Sequence, residues 1–65
     1  MSLEELREQN IRLVTDKALE CFIKNGISNT KVSEIAAAAG LTERSVYRYF
    51  PTKSDILIAS AFRYW

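Results

Sequence analysis

At 65 residues the chain is long enough for one compact unit with one core and too short for two domains that each fold unaided. Its composition, 48% hydrophobic and 26% charged, lies with chains that fold and away from the polar, highly charged compositions that stay disordered. Nine basic and eight acidic residues leave a net charge of +1, which argues against a polycationic tail or a basic membrane-surface helix, so any basic surface is local.

The lone cysteine, Cys21, cannot form an intramolecular disulfide, which fits a reducing, cytoplasmic setting. No apolar run approaches the roughly 18 residues that span a bilayer, and Glu4, Glu5 and Glu8 give the N-terminus the wrong charge for a secretory signal. With no histidine, one cysteine and no close carboxylate cluster, the sequence lacks the usual metal ligands, nucleophile–base pairs and general acids. No enzyme activity, metal or cofactor is expected.

Two glycines and one proline, Gly26, Gly40 and Pro51, divide the chain into segments with helical periodicity, which predicts an all-α fold. The first helix starts at Ser2, where Ser2 and Glu5 have the spacing of a reciprocal cap. Ile11, Val14, Ala18, Cys21 and Phe22 recur at three and four residues and form its core stripe, on which Cys21 reads as a small buried hydrophobe. Gly26 is expected to close this helix after Asn25 in the left-handed conformation. Asn29 or Thr30 is then expected to cap a second helix that runs to about Ala39, with Val32, Ile35, Ala36 and Ala39 inward. The alanines at 36–39 favour helix, and with Gly40 behind them they let another helix cross closely. Thr42 caps a short third helix, 43 to about 50, which Pro51 ends. Thr52 and Asp55 repeat the cap and open a fourth helix, apolar over much of its circumference through Ile56, Leu57, Ala59, Ala61, Phe62, Tyr64 and Trp65. This helix has no terminating signal, so the chain reads as a fragment. A continuation would cover Phe62, Tyr64 and Trp65, unless these rings fold back onto the first helix.

The predicted architecture is thus a small bundle of three helices plus the start of a fourth, and its centre is a helix-turn-helix. Val32, Ile35, Ala36, Ala39, Leu41, Val46 and Phe50 supply the apolar pattern that two closely crossing helices require. With Val46 and Phe50 inward, Thr42, Glu43, Arg44, Ser45, Tyr47, Arg48 and Tyr49 face outward or sideways. Such a face suits duplex DNA: a helix fits the major groove, arginine grips a guanine edge with two hydrogen bonds, and hydroxyls bond phosphate oxygens. Residues 31–53 carry four positive and two negative charges, whereas residues 1–30 carry four positive and five negative. The starts of helices two, three and four would add free amides as phosphate ligands.

The runs Ala18-Leu19-Glu20-Cys21-Phe22, Thr30-Lys31-Val32-Ser33-Glu34-Ile35-Ala36, Ala39-Gly40-Leu41-Thr42 and Val46-Tyr47-Arg48-Tyr49-Phe50-Pro51-Thr52-Lys53 resemble the N-terminal DNA-binding domain of the tetracycline-repressor (TetR) family of bacterial transcription regulators. The resemblance covers the chain from about Ile11 onward, and residues 1–65 read as one such domain. It implies that the third helix is the recognition helix, with Glu43, Arg44 and Ser45 at groove-facing positions and Tyr47, Arg48 and Tyr49 at positions touching phosphate or base. By the same resemblance Lys31 and Ser33 contact phosphate or a base edge, Thr42 caps and touches phosphate, and Lys53 grips the backbone. Two positions depart from the family's habit. Glu43 repels phosphate unless it accepts a bond from cytosine, and Arg44 stands where a small residue is common, with the length to reach a base.

The resemblance further implies a homodimer on a palindromic double-stranded DNA operator, released when a small-molecule effector occupies a C-terminal domain absent from this chain. Each assignment has a plainer alternative. Arg44 and Arg48 could be solvated charges, Glu43 could merely favour the helix N-terminus, Tyr49 could be core packing and Lys53 an ordinary first-turn lysine. The rival for the whole chain is a small helical protein-interaction module that docks a partner through Phe62, Tyr64 and Trp65.

Overall fold

The structure is a computed structural model that describes residues 2–64; Trp65 and the side chain of Tyr64, two of the three aromatics expected to be covered, lie outside the described residues. Among the described residues the chain is all-α, with α1 (Leu3–Asn25), α2 (Val32–Ala39), α3 (Glu43–Tyr49) and α4 (Lys53–Tyr64). Helix α1 packs against both α2 and α4, and α2 packs against α3.

The helix starts follow local sequence rules. The Glu5 amide donates to Ser2 Oγ (3.1 Å), one half of the reciprocal cap expected there. The Ser45 amide donates to Thr42 Oγ1 (3.1 Å) at the start of α3. At α4 the box closes in both directions: the Asp55 amide donates to Thr52 Oγ1 (3.2 Å) and the Thr52 amide to Asp55 Oδ2 (3.1 Å).

The second helix differs from expectation. Lys31 occupies its N-cap position and no side chain caps its first amides. Thr30, only 1% exposed, turns the other way, and its hydroxyl donates towards Gly26 O (2.8 Å) and Cys21 O (3.1 Å). Asn29 Nδ2 likewise donates back to Asn25 O (3.2 Å). Both residues thus satisfy carbonyls at the end of α1, which need partners as much as the amides of α2 do. Gly26 also departs from the left-handed well: its φ of 84° and ψ of 155° fall in a region that essentially only glycine occupies. Gly40, at φ 71° and ψ 27°, is left-handed. It closes α2 with paired bonds from Gly40 N to Ala37 O (3.1 Å) and Leu41 N to Ala36 O (2.9 Å), and so sets the corner between α2 and α3.

The core is formed by Val14, Ala18 and Phe22 of α1, Val32, Ile35, Ala36 and Ala39 of α2, Val46 and Phe50 around α3, and Ile56 of α4. Ile11, Cys21, Leu41, Tyr49, Leu57 and Ala59 are partly buried against it. The apolar circumference of α4 does not all turn inward: Ile58 and Phe62 are exposed, Phe62 at 78%. A polar seam joins α4 to α1 instead. Ser60 Oγ donates to Ile56 O (2.7 Å) and lies 3.4 Å from Thr15 O, while Arg63 Nη1 donates to Arg12 O (2.9 Å) and pairs with Asp16 Oδ1 (2.7 Å).

Candidate nucleic-acid interface

Helix α3 has seven residues, too few to hold a helix in water without tertiary support. Its anchors are Val46, fully buried, and Phe50, which caps its end through a bond from its amide to Val46 O (2.8 Å). With those two fixed, 100° per residue carries Arg44, Tyr47 and Arg48 to the solvent side, and all three are exposed, as is Glu43 at the open first turn. Arg44 and Arg48 stand one turn apart on that face. Like charges at this spacing cost an isolated helix roughly 0.2–0.5 kcal/mol, and among the described residues neither guanidinium has an ion pair or a side-chain hydrogen bond within the chain. Two unneutralised cations on one short face beside a half-exposed tyrosine form a surface that an anion stabilises.

The other expected contacts fall into two groups. Lys31, Ser33 and Thr42 are exposed, and Lys31 and Ser33 flank the uncapped start of α2. That start is the one that keeps its amides free of side-chain caps: Thr42 already serves α3, and Thr52 with Asp55 serves α4. Of the three starts expected to offer amides to phosphate, α2 is therefore the best suited. Glu34, in its first turn, lies 3.5 Å from Asn25 Nδ2. Ser45 is half-buried, and its hydroxyl accepts a bond from Thr42 Oγ1 (3.0 Å), which leaves its own proton free to donate.

Tyr49 and Lys53 are engaged inside the chain. The Tyr49 hydroxyl accepts from Asn10 Nδ2 (3.0 Å), fastening the end of α3 to α1. Lys53 Nζ donates to Ile27 O (2.9 Å) and Thr30 O (3.0 Å) in the connection between α1 and α2. Its ammonium has three protons, so two are used internally and one remains. Sequence reasoning missed Asn10 and the loop carbonyls of Ile27 and Thr30. Asn10 carried a signal, since it stands four residues before the buried Val14 and so lies on the inward flank of α1. The carbonyls carried none.

A second, apolar surface lies away from this face. Leu19, Phe22, Ile23, Ile27, Leu57, Ser60 and Ala61 line an open groove of about 310 Å³ between α1 and α4. No helix among the described residues is long and apolar enough to cross a membrane.

Comparison with known proteins bears on this arrangement. The family model described as bacterial regulatory proteins, tetR family, matches residues 14–60. A fatty acid metabolism regulator protein of Bacillus subtilis is 41% identical over 46 residues, which cover 71% of this chain and 24% of that protein. The HTH-type transcriptional regulator AcrR of Shigella flexneri is 44% identical over 43 residues, 66% of this chain and 20% of the relative. SrpR of Pseudomonas putida, also an HTH-type transcriptional regulator, is 36% identical over 52 residues, 80% of this chain and 24% of the relative. In these three the match thus spans a quarter or less of the relative's length. No solved structure matches the chain significantly.

Proposed function

This chain belongs to the TetR family of bacterial regulatory proteins, and we propose that α3 enters the major groove of double-stranded DNA and reads an operator sequence with Arg44 as its principal base contact. The observation that carries the reading is the outward face of α3, on which Arg44, Tyr47 and Arg48 stand exposed and, among the described residues, neither arginine has an ion pair. Arg44 takes a guanine edge, Glu43 accepts from a neighbouring cytosine, and Ser45 donates its free proton from the helix flank. Tyr47 and Arg48 take phosphate oxygens.

On the adjoining strand the uncapped start of α2, with Lys31 and Ser33, receives a phosphate, and Thr42 touches the backbone at the turn. Tyr49 and Lys53 act chiefly from behind. Tyr49 holds α3 to α1, and Lys53 keeps the connection before α2 in place while offering its remaining proton to phosphate. Residues 1–65 thus work as a DNA-binding domain without catalytic chemistry. The protein that contains them is a cytoplasmic repressor that pairs through a further C-terminal helical domain, sits on a palindromic operator and leaves it when a small molecule binds that domain.

The competing assignment, a protein-interaction module, has its support in the apolar groove between α1 and α4 and in exposed Phe62. Salt titration separates the two, because DNA affinity falls steeply with salt through counterion uptake whereas an apolar contact barely responds. The decisive experiment is selection from a random duplex library. An enriched motif, present as an inverted repeat for the dimeric protein, supports the reading; no enrichment together with salt-insensitive partner binding refutes it.

A further inference from the structure

Residues 3–9, the first two turns of α1, are all exposed and project beyond the core. One side of this projection faces α3. Leu3, Leu6 and Arg7 of α1 line an open groove of about 430 Å³ whose other wall is Arg48 and Tyr49 of α3. The bond from Asn10 Nδ2 to the Tyr49 hydroxyl, 3.0 Å, ties the α1 wall to the α3 wall. We infer that Arg7 and Arg48 together bind a phosphate of the same duplex that α3 reads, so that the DNA interface runs on from α3 onto the amino-terminal turns of α1.

The charge distribution around the projection favours this occupant. The acids Glu4, Glu5 and Glu8 would oppose DNA if they shared the groove, but none of them lines it; at 100° per residue Glu5 lies about 160° and Glu8 about 100° from Arg7 around the helix, with Glu4 nearer at about 60°. The groove wall is therefore cationic on an otherwise acidic segment. Among the described residues no ion pair occupies Arg7 or Arg48, so two arginines from different helices line one groove without a salt-bridged acid. A sugar–phosphate strand matches the composition of the walls: the phosphate meets the two guanidiniums, and the deoxyribose lies against Leu3 and Leu6. Arg48 belongs both to this groove and to the outward face of α3, which makes the two surfaces continuous.

The inference rests on the α3 reading, and its test separates the two. Binding of this chain to a fluorescent duplex carrying its selected motif is titrated across salt for the wild type and for Arg7→Ala, Arg7→Lys and Arg44→Ala. One lost phosphate contact flattens the slope of log K against log salt by about 0.9, so wild-type affinity falls about 3.5-fold more than that of Arg7→Ala over a fourfold rise in salt. That result, with the selected motif unchanged and the slope restored in Arg7→Lys, supports the inference. An Arg7→Ala slope and affinity equal to wild type overturn it, as does a changed motif, which would make Arg7 a base reader. A wild-type chain that selects no motif and binds no duplex removes the α3 reading and this inference with it. Relaxed selectivity in Arg44→Ala beside an unaffected Arg7→Ala leaves α3 standing and refutes Arg7 alone.

Discussion

Replacing Lys53 by methionine keeps the aliphatic stem and deletes the ammonium, which tests whether this lysine works inside the fold or only on DNA. In the free chain Nζ donates to Ile27 O at 2.9 Å and to Thr30 O at 3.0 Å, tying the first turn of α4 to the connection that leads into α2. Hydrogen bonds from a charged donor contribute about 1.5–3 kcal/mol when sheltered, but Lys53 is half-exposed and Ile27 is exposed, so water recovers part of the loss. The Thr30 carbonyl is the less replaceable acceptor, because Thr30 itself is buried. A net destabilisation of about 1–2 kcal/mol follows. For a domain of this size each kcal/mol moves the melting midpoint by roughly 4–8 °C, giving a fall of about 4–16 °C. The assay is thermal unfolding followed by circular dichroism without DNA. A melt that overlays the wild type, combined with weakened DNA binding, would refute the internal tether and return Lys53 to the role of a simple phosphate contact.

Arg44→Ala is expected to cost about 1–3 kcal/mol at one operator position and relax the preference there, as read by motif selection; a uniform loss over all sequences would exclude base reading. Tyr47→Phe removes one exposed hydroxyl and weakens every duplex alike in a binding titration, whereas unchanged affinity would strike it from the phosphate contacts. Ala36→Leu overfills a position only 2% exposed in the core shared with Val46 and lowers stability by about 1–3 kcal/mol in denaturant unfolding. An unchanged midpoint would show that the helices do not cross closely at Ala36.

What the sequence disclosed divides by distance along the chain. Ser2, Thr42 and the Thr52–Asp55 pair find their partners three residues away, and caps of that span are legible from residue order alone. The core stripes were legible for the same reason, because helical period fixes which residues share a face. Thr30 exposes the limit. A threonine just before a helix is a good N-cap by any local rule, yet its hydroxyl reaches Cys21 O nine residues back because the path of the connection brings it there. Lys53 finds partners 26 and 23 residues away, Tyr49 one 39 away and Arg63 one 51 away. None of these pairings has a local signature. The site shows the same division: the exposed set on α3 follows from the inward Val46 and Phe50, while the engagement of Tyr49 and Lys53 depends on how four helices meet.

That division also separates reading from placement on the candidate interface. Among the described residues Arg44, Tyr47 and Arg48 make no side-chain bond inside the fold, whereas Val46, Phe50, Tyr49 and Lys53 use their contacts to hold α3 and the approach to α2. A seven-residue helix has no orientation of its own, so the angle at which its arginines are offered is set by those anchors together with the Gly40 corner. Both polar anchors reach beyond the helix-turn-helix: Tyr49 ties it to Asn10 at the amino half of α1, and Lys53 ties α4 to the connection that follows α1. A displacement of α1 relative to α3 or α4 therefore strains one of two hydrogen-bonded links, Asn10–Tyr49 or Lys53 to the connection before α2.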